Sequence, residues 1–245
     1  MTELVTLTKE VLGAFFLGGL LLGAISQRTH FCTMGAISDV VNMGEWTRAR
    51  QWLCAIGVAM IGFAALADFG LIDPSKTLYA SPRLMWLSTL VGGLMFGYGM
   101  VIASGCGNKT LVRMGGGNLK SLVVFVVMGV SAFATLKGIT AVLRTNTVDT
   151  VFVDMPAGAN LSVLGIPNLS YILGTAVLLW VLRHKDFWTL DSLLAGLGVG
   201  GLVVSLWWVS GHLGFVPEHP ATLDAVYLAT NSGRIEALNF VAPVA

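Results

Sequence analysis

Apolar residues along the 245-residue chain gather into six windows, at approximately 11–27, 49–67, 84–103, 121–143, 169–182 and 190–211. A bilayer is crossed by about 20 predominantly apolar residues in a helix, so the pattern predicts six spans. The fifth window is short for a perpendicular span and extends through Arg183, whose long side chain can snorkel to the interface. Two weaker segments, 31–43 and 107–119, sit between windows and are too polar and too short to span alone. They read as half-helices. The predicted fold class is therefore an all-α integral membrane protein with about six transmembrane helices plus two short half-helices.

Composition agrees. Hydrophobic residues make up 55% of the chain and charged residues 11%, against about a quarter charged in soluble domains. A net charge of +1 gives no reason to expect a nucleic-acid partner. The opening residues MTELVTLTKE mix acid and base and no A-x-A site follows residues 11–25, so the first window reads as a retained span, not a signal peptide. With six crossings, one side of the membrane holds Arg28, Arg48, Arg50, Lys109, Arg113, Lys120, Arg183 and Lys185. The other holds five basic residues, Lys9, Lys76, Arg83, Arg144 and Arg234. The positive-inside rule places the first group in the cytoplasm, with both termini outside.

The windows also contain a degenerate repeat. Gly18 and Gly19, three apolar residues and Gly23 are followed nine residues later by Cys32; Gly92 and Gly93, three apolar residues and Gly97 are followed nine residues later by Cys106. The two frames are 74 positions apart. Small residues on one stripe allow close helix packing in lipid, where hydrophobic drive is weak, and packing faces are the bland reading of these glycines. Each glycine helix, however, runs into a break before its cysteine, at 26–29 and at Ser104 and Gly105. Irregular backbone at membrane depth survives only where it is buried in protein or lines a cavity. Half-helices meeting near the midplane with their N-termini aimed at an anion are a common transporter site.

The residues around the second break fit that use. After Cys106 come Gly107, Asn108, Lys109 and Thr110, whose free amides at a helix start attract an anion, and Lys109 and Arg113 share a helical face that adds positive field. The alternative for these two is snorkelling to acidic headgroups. Asn118 is the expected cap of the next helix. In the partner stretch, Thr29 or Thr33 is the expected cap of a helix through 36–41. Arg28 either pairs with Asp39 or marks the end of the first span. Cys54, in WLCAIGVAM with no break and no polar company, reads as a small buried hydrophobe. Cys32 and Cys106 are candidate contacts for a soft, sulfur-bearing anion, since a thiol is a weak donor with a polarisable sulfur. A thiol of lowered pKa would instead be a nucleophile for covalent sulfur transfer. Three cysteines and four scattered histidines form no disulfide framework and no metal-ligand pattern. No cofactor and no metal is expected, nor enzymatic chemistry in the leading reading.

The stretches RTHFCTMGAISD and GGLMFGYGMVIASGCGNKTLVRMGGGNLKS together resemble the YeeE/YedE family of bacterial sulfur-compound membrane transporters. The resemblance implies an hourglass-like helical pair of repeats in the bacterial inner membrane and import of thiosulfate or a related sulfur anion, passed along by cysteine thiols. Here it rests on Cys106, with Cys32 matching the earlier motif. The candidate substrate-binding set is Cys106, Cys32, Gly105, Gly107, Asn108, Lys109 and Arg28. Residues 1–143 form the first repeat unit with both cysteine motifs, 144–168 an extramembrane linker, and 169–245 the start of a second half. Full-length family members carry a further set of helices with another Gly-Cys motif, so this chain is expected to be incomplete by comparison. Either the sequence is truncated, or a partner subunit or second copy completes the pathway; a cytoplasmic sulfur carrier is a further candidate partner. The remaining reading is a non-transporting subunit of a membrane complex.

Overall fold

The computed structural model describes residues 2–77, 80, 83–154, 168–217, 225–230 and 232–238. Most of the expected linker (155–167) and the closing stretch 239–245 lie outside these. The chain is an all-α membrane protein. Its helices are α1 (Thr2–Thr29), α2 (Thr33–Met43), α3 (Thr47–Asp68), α4 (Trp86–Ile102), α5 (Gly107–Gly115), α6 (Leu119–Lys137), α7 (Ile139–Thr147), α8 (Leu169–Leu182), α9 (Leu190–Leu193) and α10 (Val199–Trp208). π turns at Leu194–Gly198 and Val209–Leu213 make α9 and α10 one continuous apolar helix of 24 residues. Among the described residues, five helical segments can cross a membrane by length and composition, and α8, with 14 residues, is a shorter apolar helix.

One of the apolar windows is divided between two helices. The fourth window, 121–143, is broken at Gly138, whose extended backbone (φ −99°, ψ −160°) ends α6 and starts α7. The half-helices fall where they were expected, as α2 and α5. Asn118 caps α6 by accepting from the backbone N–H groups of Lys120 (3.0 Å) and Ser121 (3.3 Å).

The centre of the bundle is α3, which packs against α8, α10 and α2. Close approach there depends on glycines outside the two repeat stripes. A Cβ at Gly200 would lie 2.7 Å from Val58 Cβ and 2.9 Å from the Ala55 carbonyl oxygen. Of the repeat glycines, only Gly18 meets another side chain, that of Leu206; Gly19, Gly23, Gly92, Gly93, Gly97 and Gly99 face open space among the described residues. Within the described residues the packing reading of the stripes thus holds at Gly18 alone. The α4 stripe lies on a helix with no buried residue, where apolar side chains such as Leu94 and Met95 stand outward as lipid-facing residues do.

The core has three parts. Leu22, Phe31, Ala55, Ala195 and Val199 join α1 and α3 to the long helix, and Cys54, Val181 and Phe187 fill the space beside α8. At the other end Ile72, Tyr227 and Ile235 pack under a cap. The cap is built from the antiparallel pair β3 (Phe215–Val216) with β4 (Val226–Tyr227) and a bridge from Thr77 to Ile235. A second antiparallel pair, β1 (Arg83–Leu84) with β2 (Val153–Asp154), ties the segment before α4 to the segment after α7.

Candidate functional site

Both half-helices start the same way. α1 ends and the chain turns through His30 in the left-handed region (φ 54°); α4 ends and the chain turns through Ser104 (φ 56°). Two residues later, Cys32 and Cys106 are the extended N-cap residues of α2 and α5. The Cys32 thiol, and neither Thr29 nor Thr33, caps α2: its Sγ accepts from the Gly35 N–H at 3.4 Å. Thr29 lies in the last turn of α1 with its hydroxyl bonded to the Ile25 carbonyl, and Thr33 is already the first residue of α2. The turn at His30 is the reason, because it leaves Cys32 in the β-region that a cap requires.

The two N-caps meet. Cys32 Sγ and Cys106 Sγ are 3.2 Å apart, both thiols are free, and both residues are buried. Asn108 ties α5 to the end of α1 and to the turn before α2, its side-chain amide donating to Ser26 Oγ (2.9 Å) and to the Phe31 carbonyl (3.0 Å). Phe31 stacks on Trp52 of α3. On α5 itself, the Thr110 hydroxyl returns to the Cys106 carbonyl and Arg113 donates to the Ser104 carbonyl. Gly105 lies against the aliphatic part of Lys109, and Gly107 is the first residue of α5.

A cavity of about 220 Å³ opens beside this pair, lined by Ser26, His30, Phe31, Cys32, Arg48, Lys109 and Val112. Cys32 is among its lining residues, and Cys106 adjoins it through the sulfur–sulfur contact. Arg48 bonds to Asp39 across 3.3 Å, and its guanidinium lies where a side chain at Gly35 would project, 2.9 Å from that Cβ position. Lys109 makes no ion pair among the described residues. The cavity thus carries one cation tied to a carboxylate, one cation free of one, and a half-helix N-terminus, an arrangement that favours a small anion.

Of the residues singled out in the sequence, the structure brings Cys32, Cys106, Gly105, Gly107, Asn108 and Lys109 together and leaves Arg28 apart. Arg28 pairs with Asp191 at 3.0 Å. Of its two readings, the pairing with Asp39 is corrected, since Asp39 is taken by Arg48, and the other holds, since Arg28 stands in the last turn of α1. The exchange follows from the fold: α9 brings Asp191 to the end of α1, and Asp39 on α2 faces the start of α3. Arg48 is the cavity residue that sequence reasoning missed; it was counted only as one more basic residue on its side of the membrane. Cys54 lies elsewhere, packed with Val181 and Phe187. No three His, Cys, Asp or Glu side chains among the described residues are placed to hold a metal.

Residues 28–243 match the family described as Sulphur transport. The chain belongs to this family, the YeeE/YedE group. Among curated YeeE/YedE relatives, it is similar to the thiosulfate transporter TsuA of Escherichia coli (strain K12), 36% identical over 115 residues, 46% of this chain and 31% of the relative. It is 29% identical over 121 residues to the thiosulfate transporter TsuA of Spirochaeta thermophila, covering 49% of this chain and 35% of the relative. The probable transporter YedE of E. coli is 27% identical over 112 residues, 26% of its length. The aligned region thus spans about a third of these relatives or less.

Proposed function

We propose that this chain imports a small sulfur-containing anion such as thiosulfate across a bacterial inner membrane, through the junction of α2 and α5. The carrying observation is the Cys32–Cys106 thiol pair, 3.2 Å apart at two converging half-helix N-caps beside a cationic cavity. Lys109 and Arg48, on the Arg- and Lys-rich side, receive the anion as it passes the thiol pair. The Cys32 thiol donates a weak S–H hydrogen bond to it without the desolvation cost of a full charge, and weak binding lets the anion leave again. Sulfurs in contact leave no passage between them, so each transfer parts Cys32 from Cys106, and the pair is a gate as well as a binding group. No bond to sulfur is made or broken in this cycle.

Family membership and the names of the relatives support the substrate class. The bias of eight basic residues against five supports the Cys32 cavity as the cytoplasmic side with both termini outside. A partner subunit, a second copy or a cytoplasmic sulfur carrier receives the anion beyond the cavity. Uptake of labelled thiosulfate into proteoliposomes carrying the full chain tests the reading. Loss of uptake in Cys106→Ala at normal protein level is expected; undiminished uptake would overturn it.

A further inference from the structure

The thiol pair can do more than pass an anion. Cys32 lines the cavity and Cys106 lies 3.2 Å from it, whereas a disulfide needs about 2.0 Å between sulfurs, so closing the bond takes a movement of about 1 Å. Each cysteine is free, and each is the N-cap of its half-helix, one residue outside α2 or α5. A front thiol and a resolving thiol one step behind it form the arrangement required for disulfide exchange. The cavity in front of the pair is cationic, which selects among oxidants.

We propose that Cys32 and Cys106 reduce polythionates, the sulfur dianions with an internal S–S bond and sulfonate ends, with tetrathionate as the simplest probe. The proposal rests on the reading of the cavity as the anion site. The Cys32 thiolate attacks an inner sulfur of tetrathionate; a bond forms from Sγ to that sulfur, the central S–S bond breaks, and one thiosulfate leaves with its electron pair. The Cys106 thiolate then attacks Cys32 Sγ, forms the Cys32–Cys106 disulfide and displaces a second thiosulfate. Two thiol protons pass to water, and two electrons move from the thiol pair to tetrathionate. The reaction converts an oxidised dimer of the proposed cargo into cargo and joins the two half-helices covalently, which stops transport until a reductant reopens the pair.

The test uses the full reduced chain in detergent, freed of reductant and mixed with tetrathionate. Thiosulfate release and peptide mapping are the readouts, and two thiosulfates per chain with a Cys32–Cys106 crosslink are expected, Cys54 staying open to alkylation. Cys106→Ser should release one thiosulfate and keep a stable adduct on Cys32. Lys109→Gln should slow the reaction about tenfold with tetrathionate and by much less with an uncharged disulfide-forming oxidant, because one cation near the anion path is lost. Absence of thiosulfate release from the folded wild-type chain, reaction at Cys54 first, or equal slowing with both oxidants would overturn the proposal. Crosslinking without thiosulfate uptake would sink the transport reading alone; uptake without crosslinking would sink this one alone.

Discussion

His30 and Ser104 adopt the same left-handed backbone conformation, φ 54° and 56°, two residues before Cys32 and Cys106. For residues other than glycine this conformation is costly, about 1–2 kcal/mol, and it recurs here because each turn sends the chain from a span into a half-helix with a cysteine at its cap. Ser104→Gly should therefore raise stability by up to about 1 kcal/mol, since glycine takes this conformation freely. Ser104→Val should lower it by about 1–2 kcal/mol. Thermal unfolding in detergent measures both, and a valine variant as stable as the parent would contradict the strained-turn account.

The sulfur contact predicts coupling. Cys32→Ala and Cys106→Ala should each lower thiosulfate uptake at least about tenfold, and the double variant should be little worse than either, because members of a contacting pair are non-additive. Uptake rates at matched protein levels decide it. Full additivity would mean that the two thiols act at separate places.

Lys109 and Arg28 should separate cleanly. Lys109 lines the cavity and has no carboxylate partner among the described residues, so Lys109→Gln is expected to weaken apparent thiosulfate affinity about tenfold. Arg28 is 60% exposed, and its bond to a 55% exposed Asp191 is of the kind worth about 0–1 kcal/mol. Arg28→Gln should leave affinity within about twofold. Concentration-dependent uptake distinguishes them, and equal loss in both variants would return Arg28 to the site.

Helix packing offers a test of which glycines make close contacts. Gly200→Ala puts a methyl group against Val58 and the Ala55 carbonyl and should cost about 1–3 kcal/mol, as overpacking does. Gly97→Ala meets nothing within 4 Å and should be neutral or slightly stabilising, since alanine is the better helix former. The comparison is made on the isolated chain by unfolding in detergent.

Much of this was legible before any coordinates. The six windows and two half-helices follow from hydropathy alone, because membrane helices are set by length and apolarity within one stretch of chain. The frame linking Cys32 to Cys106 was also readable, since both breaks are local. What escaped was everything that depends on which helices touch. Arg28 finding Asp191 spans 163 positions, and Arg48 entering the cavity requires α3 to lie beside α2. The glycine stripes misled for a related reason. A small-x3-small run states that close packing is possible, and only the arrangement of helices decides that Gly200 uses it and Gly97 does not.

The long helix from Leu190 to Leu213 carries a consequence for its own evolution. Each π turn holds one residue more than the α-helical path needs, and a residue in a helix corresponds to about 100° of rotation. With both turns in place, Gly196 meets Cys54, Gly200 meets Val58 and Gly211 meets Ile72. Removing one residue at Leu194–Gly198 would restore regular winding there and swing every later side chain to a new bearing, turning Gly211 away from Ile72 and the β3–β4 cap. The helix is a shaft phased at two joints, and its two ends are free to diverge in sequence only while both joints keep their extra residue.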